Sequence, residues 1–224
     1  MFNSAEEKDS SGTQILLAEF EKLDELRLEH ERMLVKFETE GVPIENIRLL
    51  KDGFLSIRIG MVYYAEANRC VQAQAWFAAT TVGVAALEAI LLAQCLMQAE
   101  KVKALEKFRA LKLGKNRDFS HFARQLDLGK LLEIADKLKW FPEGAFPVRL
   151  RTLMGRHLSD EELRVLLEPF EGRTDIGEIC AQELKEVRNL IHPAVCLKQD
   201  RTPSAAIGMS GTFLLMTLLS LLSD

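Results

Sequence analysis

Residues 75–97 read AWFAATTVGVAALEAILLAQCLM, and between Cys70 and Ala99 the only charge is Glu88. A run of this length and polarity suits either a bilayer span or the central helix of a packed bundle. Gln72, Gln74, Thr80, Thr81 and Gln94 dilute it, and a carboxylate near its middle would be costly in lipid. Its many alanines suit close approach of neighbouring helices. The run therefore predicts a buried central helix, within one helical stretch over 62–112. That makes the fold class all-α.

On the N-terminal side, residues 44–59 read IENIRLLKDGFLSIRI. Ile47, Leu49, Leu55, Ile57 and Ile59 alternate with polar residues around Asp52-Gly53, which suits a type I′ turn. This predicts a small β-hairpin over 44–59, the alternative being an irregular link between helices. Before it, Leu16, Phe20, Leu23, Leu34 and Phe37 recur at helical spacing, so a helix is expected from Thr13 to about Glu40. Gly41-Val42-Pro43 should stop it. Residues 1–12 are polar and acidic and read as a disordered leader. With no basic segment followed by an apolar one, no signal peptide is expected.

On the C-terminal side, Asp127 should cap a helix that ends at Trp140-Phe141-Pro142. Residues 114–122 read as a turn-rich joint. Residues 142–157, with Pro142, Gly144 and Pro147, read as a loop or a short irregular insert. Ser159 with Glu162, and Asp175 with Glu178, are capping boxes. They open helices to about Glu168 and to Ile191 or His192. The stretch 203–223 carries no charge and is long enough for a tail anchor, but Gly208, Ser210, Gly211, Thr212 and Thr217 dilute it, so it reads as a buried last helix or a dimer-interface helix. The expected architecture is a bundle of five or six helices. It divides into a leader over 1–12, a helix and connecting segment over 13–60, and the bundle proper over 61–224.

Composition narrows the function. The chain has 224 residues and is 48% hydrophobic, which excludes a fully disordered protein. A net charge of −4 excludes a basic coat for nucleic acid over the whole surface. Charge is unevenly placed, however. Residues 1–40 hold eleven acidic and five basic side chains. Lys101, Lys103, Lys107, Arg109, Lys112, Lys115 and Arg117 face a single Glu106. That basic stretch is either a solvated face or a surface for RNA phosphates. Cys70, Cys95, Cys180 and Cys196 show no metal or redox spacing and read as reduced core residues. No metal site and no cofactor motif is visible.

His30, His121 and His157 read as plain surface residues. His192 stands in a more specific setting, four residues after Arg188, so the two share a helix face. The apolar positions Ile176, Cys180, Leu184, Val187 and Ile191 run beside that face and would hold the pair at the rim of the core. A histidine before Pro193 can also simply satisfy the last carbonyls of its helix.

The phrase Glu186-Val187-Arg188-Asn189-Leu190-Ile191-His192-Pro193 resembles the Arg-Asn…His signature of the HEPN superfamily. The Ala-rich helix with Ala86 to Leu92 fits that resemblance. So does LDLGKLLEIADKL over 126–138, and so does the apolar closing helix; together they cover about residues 62–222. The resemblance implies a cytoplasmic helical bundle that forms a homodimer and cuts RNA without a metal or cofactor. The resemblance also implies a place in a toxin, defence or stress system, with RNA and an antitoxin or other protein as possible partners; a membrane is not expected. Arg188, Asn189 and His192 would be the catalytic set, with Glu88 as a supporting carboxylate. The three residues between Arg188 and His192 are a shorter spacer than the family's active members use. The alternative is therefore a catalytically silent bundle that binds a protein or RNA.

Overall fold

A computed structural model describes residues 6–105, 119–141, 145–154, 159–170, 176–189 and 205–222. Its helices are α1 (Glu6–Thr39), α2 (Ile44–Gln72), α3 (Trp76–Met97), α4 (Ala99–Ala104) and α5 (Phe119–Ala123). They continue with α6 (Leu128–Lys137), α7 (Ala145–Met154), α8 (Asp160–Leu167), α9 (Ile176–Asn189) and α10 (Ala205–Leu221). A short 3-10 turn, Glu168–Phe170, follows α8. The described residues contain no strand, so the all-α expectation holds. The helices outnumber the five or six expected, for reasons that lie in three places.

The first is the expected hairpin, which is instead the N-terminal half of α2. Gly53 is not a turn residue but a point of close approach. A Cβ there would lie 3.1 Å from Met97 Cγ and 3.5 Å from the Ala93 carbonyl oxygen. One heptad later a Cβ on Gly60 would lie 2.8 Å from Ile90 Cγ1. One heptad later again, Ala67 sits opposite Gly83. The descending register on α3 makes α2 and α3 antiparallel, with small residues letting the two backbones close together. Asp52, the other half of the supposed turn, accepts from Ser120 Oγ at 2.5 Å and from Arg124 Nη2 at 2.8 Å, tying α2 to α5.

The second is a break inside the stretch expected to be continuous over 62–112. α2 ends when Gln74 enters the left-handed region at φ 57°. The Ala75 N–H then donates to the Cys70 oxygen and the Gln74 N–H to the Val71 oxygen. These two bonds satisfy the last carbonyls of α2 and reverse the chain. The same pair of bonds ends α1 at Gly41 (φ 75°) and α6 at Lys139 (φ 56°).

The third is α7, which occupies part of the expected loop over 142–157. Pro147 lies in its first turn, where a missing N–H breaks no intrahelical bond. Phe146 and Leu150 are fully buried, and Phe146 packs on Phe170 with ring centroids 4.9 Å apart. Two further boundaries shift. α1 begins at Glu6, inside the segment read as a leader, and Phe119 starts a helical turn inside the expected joint. The Asp127 cap is as expected, accepting the Lys130 N–H at 2.9 Å.

α3 is the axis of the bundle, in contact with α2, α5, α6, α9 and α10. Its length and mean hydropathy of 1.8 would also suit a membrane crossing, and half of that window is buried inside the structure. The charge-free α10 runs parallel to α3. Gly208 meets Trp76 and Phe77, Gly211 meets Thr80, and Leu215 meets Gly83. α10 is thus covered within the chain by α3, α7 and α9, which removes its apolar area as a reason to expect a dimer.

Two buried threonines fasten the parallel pair. Thr80 and Thr212 place their Oγ1 atoms 3.0 Å apart, each within reach of the Trp76 and Gly208 oxygens. Thr80→Val or Thr212→Val alone should cost about 1–2 kcal/mol in urea unfolding, because the hydrogen bonds of one buried hydroxyl are lost. The double variant should cost less than the sum, since both carbonyls keep their helix bonds. Strict additivity would show that the two hydroxyls do not act together.

α1 lies along α2, and their contact buries His30, which the sequence reading left on the surface. Its ring is 7% exposed and stacks on Phe54 at 4.0 Å. Burial first, then the Arg58 charge, holds the imidazole below its usual range, while Glu29 acts weakly the other way. The unfolded chain therefore takes up this proton first as pH falls below about 6.5. The stability contribution is full above that pH and is lost as pH falls through the native value. Wild type should melt lower at about pH 5 than at about pH 7, and His30→Phe should flatten that difference. An unchanged slope in the variant would remove His30 as its cause.

Candidate functional site

Of the expected catalytic set, Arg188 and Asn189 fall at the C-terminal end of α9. This helix buries Cys180, Leu184 and Val187, three of the five positions of the stripe read from the sequence; the Ile176 side chain and Ile191 lie outside the described residues. Val187 is held firmly, because a Cβ on Gly211 would lie 3.0 Å from both of its γ carbons. Arg188 and Asn189 are the last two residues of α9, so their backbone is fixed where α9 meets α10 and α3. Asn189 is half-buried. His192 lies outside the described residues, as do Ile191 and Pro193. Glu88 is half-buried on α3, a helix in direct contact with α9.

Backbone register places position 188 on the side of α9 that carries Ala181 and Lys185, seven and three residues earlier. That side opens on a groove of about 1110 Å³ between α6 and α9. Its polar lining comes from Asp127, Lys130, Glu133, Asp136, Lys137, Lys139, Gln182 and Lys185. Much of this charge is balanced internally. Lys137 Nζ lies 3.0 Å from Glu133, and Lys130 Nζ lies 3.6 Å from Asp127. Gln182 donates to Glu186 at 2.8 Å. The sequence reading missed this groove. Its signal was the heptad pair Lys130 and Lys137 on a helix whose opposite side is apolar.

The basic stretch is only partly in view. Lys107, Arg109, Lys112, Lys115 and Arg117 lie outside the described residues. Lys101 donates to Gln98 Oε1 at 3.2 Å. Lys103 donates to Glu100 at 2.9 Å, lies 4.0 Å from Glu45, and sits 5.3 Å from the centre of the Phe119 ring. Lys103 is therefore engaged in holding α4 to α2 and α5, and a phosphate would have to compete for it.

Cys95 is buried, and burial pushes its thiol up to about 12. Cys180 is raised by burial first and by the Asp136 and Glu183 charges second. Neither forms a thiolate at neutral pH, which makes both unsuited to nucleophilic work. Among the described residues no group of three His, Cys, Asp or Glu side chains is placed to hold a metal ion. His121 is exposed on α5 and bonds Gln125 at 3.0 Å. No family model, curated protein or solved structure matches the chain.

Proposed function

We propose that this chain is a HEPN-like, metal-independent endoribonuclease of a toxin, defence or stress system, working in the cytoplasm as a homodimer. The observation that carries the reading is the phrase Glu186 to Pro193, whose Arg-Asn pair closes a helix packed into the core. Packing at Val187 gives the pair a rigid base, which phosphate chemistry requires. His192 takes the proton of a ribose 2′-hydroxyl, the 2′-oxygen bonds to phosphorus, and the bond to the 5′-oxygen breaks. The leaving oxygen takes a proton from a water molecule, the proton on His192 passes to the hydroxide so formed, and the products are a cyclic phosphate and a free 5′-hydroxyl. Arg188 stabilises the charge that builds on the phosphoryl oxygens. Asn189 orients the phosphate, and Glu88 supports Arg188 from the neighbouring helix. The basic residues from Lys101 to Arg117 add affinity for the backbone.

The test is purified protein with mixed cellular RNA in EDTA, wild type beside Arg188→Ala and His192→Ala, with melts alongside. Cleavage by wild type alone, at equal melting temperatures, is the expected result. Intact RNA in every lane would sink the nuclease reading. A second reading, a silent HEPN-like bundle that binds a protein or RNA partner, draws on two facts. The spacer to His192 is short, and the groove beside α9 has its charges largely paired within the chain.

A further inference from the structure

The outer side of the α1–α2 pair has apolar groups without cover. Leu55, Ile59 and Val62 are 47%, 43% and 46% exposed and recur at i, i+4 and i+7, forming one seam along α2. The α3 side of α2 is already occupied through Gly53, Gly60 and Ala67, and its α1 side through Phe54. On α1, Leu28 and Val35 are exposed one heptad apart, in the same row as Asp24. A cavity of about 250 Å³ joins the two rows, lined by Leu23, Asp24, Arg27, Arg58, Ile59 and Val62. Arg58 lines that cavity, and its Nε finds no hydrogen-bond acceptor among the described residues. A two-helix face of this kind is half of a four-helix layer.

Charge selects its occupant. Over residues 21–39, where its side chains are described, α1 carries six acidic and four basic residues, whereas α2 carries three acidic and four basic ones. Laying α1 on another α1 sets like charges together. Laying α1 on another α2 sets acid against base, and a carboxylate of the second α1 comes to the Arg58 guanidinium. We infer that the α1–α2 face is a dimer interface for a second copy of this chain, with α1 of each copy against α2 of the other. This arrangement is self-complementary, as a two-fold axis requires. At 1.5 Å per residue, the 29 residues of α2 span about 43 Å, enough for an interface of ordinary size. This interface gives a place to the homodimer of the proposed function and rests on that part of it alone; mass tests it, whereas cleavage of RNA tests the nuclease reading. α2 packs on α1 and α3, while the helix that carries Arg188 packs on α3, α6 and α10.

Light scattering of the full chain during size exclusion, without detergent, tests it. Wild type should show twice 25.3 kDa. Ile59→Glu and Val62→Glu each put a carboxylate before the partner's acidic helix. Both should raise the dissociation constant at least about tenfold and yield monomer with unchanged helical circular dichroism. High salt should weaken the wild-type dimer, because acid meets base across the seam. Val148→Glu, at an exposed site on α7, should leave the dimer intact. If either α2 variant misfolds, Leu55→Glu replaces it at an equally exposed position. A wild-type monomer at every concentration would overturn the inference. So would a dimer that the folded α2 variants leave intact, or protein recovered only from membranes.

Discussion

Gly83→Ala should destabilise the protein by about 1–3 kcal/mol, and Leu215→Ala should restore part of that loss. A Cβ on Gly83 would overlap Leu215 Cδ2 and lie 3.6 Å from the Ala67 methyl on the opposite side. α3 is wedged between α2 and α10 at this level, so it cannot retreat from one without striking the other. Leu215 is fully buried, and Leu215→Ala alone should cost about 2–5 kcal/mol because it leaves a cavity. In the double variant the added methyl takes up some of the vacated space. The double should therefore cost less than the sum of the singles, by about 0.5–3 kcal/mol in urea midpoints. Additive losses would mean that α10 does not seat against α3 in the parallel register described above.

Phe146→Ala should cost about 3–5 kcal/mol, the price of emptying an aromatic site in a packed core. Phe146 is 1% exposed and its ring meets Phe170 at 4.9 Å, with Leu150 fully buried one turn on. The loop expected from the sequence for this segment would make the same change nearly silent. Thermal melts separate the two by many degrees for a domain of this size. A shift within error would restore the loop and remove α7 from the core.

The segments read correctly from the sequence are those whose signal is chemically exclusive. Asp127 has a side chain that suits a cap, and it caps α6. Gly41 tolerates the left-handed conformation that ends α1, so the stop was visible. Gln74 and Lys139 adopt the same conformation, yet nothing in their chemistry announces it, and the break between α2 and α3 went unseen. Gly53 failed in the opposite way. Glycine serves tight turns and close helix contacts equally well, and only the partner helix decides between them. Pro147 reads as a breaker unless its position in the first turn is known. At the candidate site, the apolar stripe of α9 was legible because its period matches the helix. The groove beside it was not, since it exists only where α6 and α9 meet. His30 looked like a surface residue because its neighbours in sequence are charged, whereas its burial comes from Phe54 on another helix.

The parallel seat of α10 on α3 bears on how the chain is made. Thr80 and Thr212 are 132 residues apart, so α3 leaves the ribosome long before its parallel partner exists. The antiparallel contact with α2 can close at once, because only three residues separate the two helices. That leaves the Thr80–Gly83 side of a strongly apolar helix uncovered until residues 205–221 emerge. During that interval the nascent chain presents a membrane-like segment to chaperones and to targeting factors alike. The order of synthesis therefore sets how long that side of α3 stays bare, and a slower passage from residue 97 to residue 205 would lengthen it.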